Sequence, residues 1–154
     1  MTIRTWRRGD YEISTDPSRL DLDVTHAFLT ADAYWSPGVP RDIVERAIAN
    51  SMVFGVYKVS GPGDAAQTGL ARVVSDKATF AWICDVFVLP EHRGHGLGKW
   101  LMECVTAHPE LQGLRRWMLA TRDAHGLYAQ YGFTQLHDAA KFMELWDPEI
   151  YKRG

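Results

Sequence analysis

A glycine-rich turn in the middle of the chain has the residue types of an anion-binding loop. The turn reads Arg93-Gly94-His95-Gly96-Leu97-Gly98, and Lys99 follows it. Glycines let a backbone turn sharply and approach a bulky anion without a β-carbon in the way. Where a helix starts at such a turn, its first amides and the positive end of its dipole favour a phosphate or pyrophosphate. A flexible turn that only links two elements is the alternative.

Two other phosphate-binding motifs are excluded by their spacing. A P-loop needs a Ser or Thr after its Gly-Lys pair, whereas Gly98-Lys99 precedes Trp100. A dinucleotide-binding fingerprint reads Gly-x-Gly-x-x-Gly and directly follows the first strand. Here the glycines alternate with other residues, and they stand late in the chain.

Two residues have side chains suited to proton chemistry. Asp85 is the only charged residue between Phe80 and Leu89, and a carboxylate in a buried strand is costly unless it is paired or functional. Tyr128 lies in a short amphipathic segment. Its phenol keeps its proton at neutral pH and can donate a hydrogen bond. A tyrosine that only packs in the core is the alternative for Tyr128.

The hydrophobic pattern predicts the elements that position these residues. Strands are expected at Tyr11–Ser14, Met52–Val59, Thr68–Ser75, Thr79–Leu89, Arg116–Thr121, Phe133–Leu136 and Lys141–Trp146, the last two as a closing antiparallel pair. Helices are expected at Leu20–Ala31, from Pro40 to Ile48, at Leu97–His108 and at Asp123–Tyr131. The turn residues Ser60–Asp64 predict a hairpin between the second and third strands. This order is typical of a mixed α/β domain with one parallel crossover.

Length and composition limit the classes of function. The 154 residues predict one domain over 1–154. A hydrophobic share of 46% and a charged share of 23% are ordinary for a soluble globular protein. The net charge of −2 and the lack of an aromatic–basic stripe disfavour a nucleic-acid-binding module. No run reaches the roughly 20 apolar residues of a membrane span, and Met1–Asp10 has no apolar core of a secretory signal.

The cysteines and histidines indicate neither a disulfide framework nor a metal centre. Cys84 and Cys104 each lie within an apolar run, which predicts buried free thiols in a reducing compartment. His92 and His95 stand beside the glycine turn, but no residues have the spacing of zinc ligands, so we expect no metal. Together with the missing membrane and secretory signals, these features predict a cytoplasmic protein.

Two segments resemble the acetyl-coenzyme A motifs of the GNAT superfamily of N-acetyltransferases. The first runs from Asp85 to Gly98 and is similar to the family's strand, its Val-x-Pro exit and its Arg/Gln-x-x-Gly-x-Gly/Ala loop. The second, from Ala124 to Phe133, resembles the family's Ala-x-x-Leu/Phe-Tyr-x-x-x-Gly-Phe helix and turn. The resemblance implies an α/β fold of the GNAT type, with a mixed, mostly antiparallel central sheet of about seven strands flanked by about four helices. It also implies an acyltransferase that uses acetyl-CoA.

The resemblance further implies which residues hold acetyl-CoA. The pyrophosphate would lie on the loop and helix start formed by Arg93, Gly94, His95, Gly96, Leu97, Gly98 and Lys99. The pantetheine arm would run along Val86, Phe87 and Val88 like an added strand. There the strands Thr79–Leu89 and Arg116–Thr121 would splay apart. Thr121, where the family often has an asparagine, and Ala124 are further candidate contacts.

The same resemblance assigns the candidate catalytic residues. Tyr128 would be the general acid, or a hydrogen-bond donor, near the cofactor sulfur. Asp85 matches an acidic residue that contacts substrate amines in polyamine acetyltransferases, so it would bind the ammonium or accept its proton, directly or through water. Many relatives carry their base where this chain has Cys84 or Trp82. Since side chains alternate across a strand, Asp85 would face away from that side unless a bulge intervenes.

The acceptor implied by the resemblance is a primary amine. The aromatic loop that contains Tyr34 and Trp35 favours a small, partly apolar amine, and both residues are candidate walls of the acceptor pocket. Trp82 is a third candidate, with core packing as its alternative. A protein N-terminus or lysine stays open as acceptor, and so does a homodimer, since family members often pair. The rival function is a non-catalytic coenzyme A-binding sensor or interaction module of the same fold.

Overall fold

A six-stranded sheet forms the centre of the molecule. In the computed structural model, which describes residues 2–153, the strands lie across the sheet in sequence order. They are β1 (Thr5–Arg8), β2 (Tyr11–Ser14), β3 (Met52–Gly61), β4 (Asp64–Ser75), β5 (Phe80–Val88) and β6 (Arg116–Leu119). All neighbours are antiparallel except β5 and β6, which run parallel. The mixed, mostly antiparallel sheet is confirmed, with six strands in place of about seven.

Four helices cover the two faces of the sheet. They are α1 (Leu22–Ala27), α2 (Arg41–Ala49), α3 (Leu97–Ala107) and α4 (His125–Ala129). The predicted apolar stripe of α3 is buried against one face, in a core that also takes in Tyr128. A second core around α1 and α2 covers the opposite face. Within residues 2–153, no helix has both the length and the apolar character that crossing a bilayer requires.

The first helix is shorter than its sequence pattern predicts. α1 ends at Ala27, and the chain continues through one wide π turn, Phe28–Asp32. This turn keeps Phe28 and Leu29 buried in the second core. Tertiary packing therefore preserves the predicted apolar face while it changes the winding of the helix.

The long strands β3 and β4 form the predicted hairpin. Their pairing extends to Gly61 and Asp64, so only Pro62 and Gly63 remain in the turn. Gly63 has a φ of +75°, a left-handed conformation that glycine adopts without steric cost. The central residues of both strands are buried because helices cover both faces, which explains why their apolar runs are nearly continuous.

The predicted closing strand pair is wrong. Neither Phe133–Leu136 nor Lys141–Trp146 is a strand in this chain. A short 3₁₀ turn, Ala139–Lys141, separates the two segments, and Asp138 before it has a φ of +58°. Residues 142–147 have no regular secondary structure and make no ladder with any described strand. A strand-like hydrophobic pattern does not determine whether a neighbouring strand is available for pairing. Both predictions are wrong because neither segment pairs with another strand.

The first strand is one that the sequence pattern did not predict. β1 contains three charged or polar residues among its four, and all four side chains are exposed or half-buried. It pairs with β2 from Thr5↔Ser14 to Arg8↔Tyr11. As an edge strand it has few buried positions, so the alternation that normally identifies a strand is weak.

A buried histidine, His108, is the C-cap residue of α3. His108 is only 2% exposed, and its ring meets that of Phe54 edge-on at 5.7 Å. Its Nδ1 accepts a hydrogen bond from the backbone N–H of Glu110 at 3.1 Å. Burial lowers the pKa of His108 below its ordinary value of 6.5, and the nearby carboxylate of Glu110 opposes that shift. The folded protein therefore favours the neutral ring.

This histidine should make the fold acid-sensitive. Below about pH 6.5 the unfolded chain binds the proton more readily than the folded one, so the free energy of unfolding falls as the pH is lowered. The variant His108→Asn keeps an acceptor for the Glu110 N–H but cannot titrate. Urea unfolding between about pH 7.5 and about pH 5.5 should therefore show a steeper loss of stability for the wild type than for the variant. Equal losses in the two proteins would contradict this role of His108.

Candidate functional site

The site begins where the two parallel strands part. β5 and β6 pair from Phe80↔Arg116 to Ile83↔Leu119, and no further pairing follows. β5 nevertheless continues to Val88. Its backbone from Cys84 to Val88 therefore has β4 on one side and no strand on the other. The predicted splay is present, and it opens a cleft with a volume of about 340 Å³.

A β-bulge in β5 decides which way the acidic residue points. Leu70 pairs with Phe87 and Arg72 pairs with Cys84, so Asp85 and Val86 together face a single residue of β4. Asp85 has a φ of +52°, a conformation that is uncommon outside glycine but is tolerated by aspartate. The extra residue inverts the alternation of side chains along the strand.

The inversion brings Asp85 to the side of the sheet that lines the cleft. Ile83, before the bulge, is buried in the core under α3, whereas Phe87, after it, is buried in the core under α1 and α2. Trp82, Cys84 and Asp85 all line the cleft. The sequence pattern predicted that Asp85 could share a face with Trp82 and Cys84 only if a bulge intervened, and β5 contains this bulge.

Two donors hold the carboxylate of Asp85. Its Oδ1 accepts a hydrogen bond from Trp35 Nε1 at 2.9 Å, and its Oδ2 accepts one from Arg72 Nε at 2.8 Å. The side chains of Arg72 and Asp85 are only 18% and 13% exposed. Arg72 Nη1 also donates to Ser51 Oγ at 3.1 Å. A half-buried charge-assisted pair of this kind fixes both partners in orientation.

Arg72 is a site residue that sequence reasoning missed. Its signal was an arginine inside the otherwise apolar segment from Gly69 to Val74. A buried arginine in a strand requires a carboxylate partner, and Asp85 is the only acidic residue of the neighbouring strand. Asp123 and Tyr151, which also line the cleft, had no comparable signal.

The aromatic loop before α2 is attached to both sides of the splay. Trp35 donates to Asp85 on β5, as described above. The hydroxyl of Tyr34 accepts a hydrogen bond from the backbone N–H of Arg122, just beyond β6, at 2.8 Å. The guanidinium of Arg122 lies 3.9 Å from the centre of the Tyr34 ring. Tyr34, Trp35 and Trp82 all line the cleft, so the structure brings the three predicted wall residues together.

Tyr128 lies where the cleft meets a second groove. It is 8% exposed, and it borders both the cleft at the splay and an open groove beside β6. Burial raises the pKa of Tyr128 above its ordinary value of 10, and the neighbouring Tyr34 and Asp123 act in the same direction. Among residues 2–153 no side-chain hydrogen bond involves its hydroxyl. The phenol is thus protonated at neutral pH and can donate into the cleft.

The glycine turn leads into a helix that no side chain caps. Gly94 and Gly96 have φ values of +88° and +71°, and a β-carbon built on either would meet no atom within 4 Å. α3 begins at Leu97 without a side-chain hydrogen bond to its first turn. The first amides of this eleven-residue helix therefore have no side-chain partner, and uncapped amides beside a glycine turn are an arrangement that binds anions.

Some predicted contact groups already have partners inside the protein. Arg93 Nε donates to the backbone carbonyl of Val88 at 2.9 Å, so this arginine braces the end of β5. Thr121 Oγ1 accepts a hydrogen bond from the Ala124 N–H at 3.0 Å and thereby orders the entry to α4. Phe87 stacks on Phe28 at 4.2 Å, so only its backbone can serve the cleft.

The histidines and cysteines have other surroundings. His92 Nδ1 lies 3.0 Å from the hydroxyl of Tyr11, and the His95 ring lies 5.7 Å from the Tyr11 ring. Burial raises the pKa of the free thiols Cys84 and Cys104 to about 12, so both are protonated at neutral pH. In the part of the chain that is described, no three His, Cys, Asp or Glu residues are grouped so that they could hold a metal ion.

Comparisons with known proteins identify the family. A model of the acetyltransferase (GNAT) domain matches residues 50–135. A candidate acetyltransferase from Gibberella zeae is 37% identical, with 82% of this chain and 80% of that protein covered. A crystal structure of a candidate GNAT-family acetyltransferase from Xanthomonas campestris pv. campestris has 51% identity and a TM-score of 0.86, with 92% of this chain and 96% of that chain covered.

A more distant structure shares the fold alone. A candidate acetyltransferase from Clostridium acetobutylicum, solved with acetyl-CoA, has 13% identity and a TM-score of 0.60, with 94% of this chain and 96% of that chain covered. The assignment of this protein therefore depends on the domain match and on the two more similar proteins. The splayed parallel strands and the uncapped helix start after the glycine turn agree with these matches. The chain belongs to the GNAT acetyltransferase family.

Proposed function

We propose that this protein transfers the acetyl group of acetyl-CoA directly to a small primary amine. The observation that carries the proposal is the splay of β5 and β6, which opens a cleft lined by the free backbone edge of β5 and by Tyr128. The uncapped start of α3 follows β5 in the chain, after the glycine turn. No covalent enzyme intermediate is required, because an amine attacks a thioester without help from a protein nucleophile.

Several features of this chain fit acetyl-CoA. The amides from Gly94 to Lys99 would bind the diphosphate, since the space beside both positive-φ glycines is open. The edge of β5 from Val86 to Val88 would pair with the pantetheine amides as an added strand does. Thr121 and Ala124 lie across the splay from that edge, and the hydroxyl proton of Thr121 can still be donated. The acetyl-CoA found in the Clostridium acetobutylicum protein of the same fold supports this arrangement.

The transfer combines the thioester of acetyl-CoA with two hydrogen-bond donors of the protein. Acetyl-CoA supplies an activated thioester with a thiolate leaving group. The deprotonated amine nitrogen forms the new C–N bond while the C–S bond breaks. A backbone N–H between Val86 and Val88 donates to the developing oxyanion. The hydroxyl of Tyr128 donates its proton to the departing sulfur and recovers one from solvent.

Asp85 is proposed to hold the substrate ammonium. Each of its oxygens already accepts one hydrogen bond, from Trp35 or from Arg72, and each retains a second acceptor site. Arg72 and Trp35 already hold this carboxylate in place, so we assign it a binding role rather than that of the base. The ammonium loses two protons, one before the attack and one as the amide forms, and both pass to solvent through water in the open cleft.

The dimensions and walls of the cleft favour a small acceptor with an apolar body. The cleft measures about 340 Å³, and aromatic rings from Tyr34, Trp35 and Trp82 form much of its wall. Its charged lining residues are Arg72, Asp85 and Asp123. Because Arg72 neutralises Asp85, the lining offers little for an acceptor with several positive charges. A monoamine suits this balance better than a polyamine.

The rival proposal is a coenzyme A-binding module without catalysis. It would share the fold and the diphosphate site, and it would not need a free phenol at the splay. The position of Tyr128 in the lining of the cleft therefore favours the enzyme. Release of free thiol in a screen of small amines separates the two, since the module would bind acetyl-CoA without turnover.

The variant Tyr128→Phe tests the proton donor. It should reduce kcat by about 100-fold or more, since it removes a general acid and leaves the ring in place. Affinity for coenzyme A, measured by calorimetry, should stay unchanged. Tyr57→Phe is the matched control, because it removes the hydroxyl of another buried tyrosine that has no partner and lies outside the cleft. A Tyr128→Phe enzyme as active as this control would contradict the assignment.

The variant Gly98→Glu tests the diphosphate site. A β-carbon at Gly98 meets only Leu127 at 3.9 Å, and a carboxylate in the first turn of a helix is favourable, so the fold should be retained. The added negative charge should weaken coenzyme A binding by about 100-fold or more. Gly61→Glu carries the same charge on the β3–β4 hairpin, where a β-carbon has open space. Equal affinities of the two variants would place the diphosphate elsewhere.

The variant Asp85→Asn tests the ammonium site. Asparagine tolerates the positive φ and keeps the shape of the side chain, but it loses the charge. The kcat/KM for the amine should fall by about 10- to 100-fold, mainly through KM, with coenzyme A affinity retained. Trp35→Phe keeps an aromatic wall and removes only one donor to Asp85, so its loss should be smaller. If both variants kept the wild-type KM, Asp85 would not contact the acceptor.

A further inference from the structure

Tyr11 of β2 connects the sheet to the glycine turn. Its hydroxyl and His92 Nδ1 are 3.0 Å apart and share a hydrogen bond, although the two residues are 81 positions apart in the chain. Their rings also meet edge-on, with the centroids 5.8 Å apart. The ring of His95 lies 5.7 Å from the Tyr11 ring, tilted by 44°. One side chain of the sheet thus contacts a residue just before the turn and a residue within it.

Tyr11 itself is fixed by the sheet and by the core. Its backbone pairs with Arg8 of β1 and with Lys58 of β3. Its side chain is only 9% exposed and belongs to the core under α3. The ammonium of Lys58 lies 4.9 Å from the centre of the Tyr11 ring, within the range of cation–π attraction. Tyr11 is therefore a rigid support for any segment that packs on it.

The glycine turn, in contrast, has little packing of its own. Gly94 and Gly96 both have positive φ values, and a β-carbon built on either would meet no atom within 4 Å. Glycine loses more conformational freedom than any other residue when it becomes ordered. His95 supplies the only side chain between these two glycines. The contacts of His92 and His95 with Tyr11 therefore restrict the turn in the absence of a ligand.

We propose that Tyr11 is a positioning residue for the diphosphate of acetyl-CoA, an inference that rests on the proposed function. Through His92 and His95 it holds the glycine turn in the conformation that presents its amides to the ligand. Ordering the turn in advance removes part of the entropic cost of binding, so it raises the affinity without a contact between Tyr11 and the ligand. The chemical step at Tyr128 does not depend on it.

The variant Tyr11→Phe tests the hydrogen bond to His92. It keeps the ring and removes only the hydroxyl, so the Kd for coenzyme A, measured by calorimetry, should rise by about 3- to 10-fold. The KM for acetyl-CoA should rise in parallel, while kcat at saturating acetyl-CoA should stay unchanged. Tyr57→Phe is the matched control, because Tyr57 lies on the neighbouring β3 and its buried hydroxyl has no partner within residues 2–153. This control should bind coenzyme A as the wild type does.

Substitutions of His95 separate its contact with Tyr11 from a contact with the ligand. His95→Phe keeps a ring that can pack on Tyr11, whereas His95→Ala removes it. The affinity for coenzyme A should therefore fall by about 3- to 10-fold in His95→Ala and by much less in His95→Phe. Combining His95→Ala with Tyr11→Leu should cost less than the product of the two single losses, because both variants remove the same contact.

Nuclear magnetic resonance relaxation of the ligand-free protein measures the ordering directly. The order parameters of the Gly94 and Gly96 amides should be lower in Tyr11→Phe than in the wild type, and lower still in Tyr11→Leu. This measurement needs neither coenzyme A nor turnover. Unchanged order parameters in Tyr11→Phe would contradict the positioning role.

The outcomes distinguish this inference from the proposed function. A wild type without affinity for coenzyme A would overturn the proposed function, and this inference with it. A wild type that binds coenzyme A, with Tyr11→Phe binding as tightly as Tyr57→Phe, would overturn this inference alone. Equal losses in His95→Phe and His95→Ala would do the same, because the His95 ring would then act on the ligand rather than on Tyr11.

Discussion

The parting of β5 and β6 after Ile83 and Leu119 is the constraint on which the rest of the site depends. Backbone N–H and C=O groups require hydrogen-bond partners, and a strand that loses its neighbour presents a row of them. Such edges usually lie at the outside of a sheet, but this one lies inside a cleft between helix-covered faces. An extended ligand with amide groups can pair there, which is the physical basis for proposing acetyl-CoA as the cosubstrate.

The bulge at Asp85 and Val86 is the second constraint, and it depends on specific partners. A non-glycine residue with a positive φ costs roughly 1–3 kcal/mol and persists only where its surroundings over-determine it. Here Arg72 from β4 and Trp35 from the aromatic loop hold the carboxylate. The same three residues shape the strand, attach the loop to it and place a charge beside the acceptor cleft. Structure and proposed function therefore share one set of contacts.

In the proposed function, the two substrates would reach the splay from different sides. The glycine turn and α3 stand at the end of β5, whereas the aromatic loop covers the cleft under α1 and α2. Tyr128 borders the cleft and also the groove along β6. The matched GNAT domain ends at residue 135, so residues 142–147 lie beyond it.

The sequence alone determined the local features of this protein: the hairpin at Pro62-Gly63, the buried stripe of α3, the glycine turn and the phenol of Tyr128. Each depends on residues close together in the chain, where spacing and glycine content act directly. Only the tertiary structure decided that a bulge turns Asp85 toward the cleft, that Arg72 neutralises it, and that residues 142–147 find no strand. Strand register, ion pairs and strand pairing all depend on residues that are far apart in the chain. A local sequence pattern does not show which distant segment packs against it.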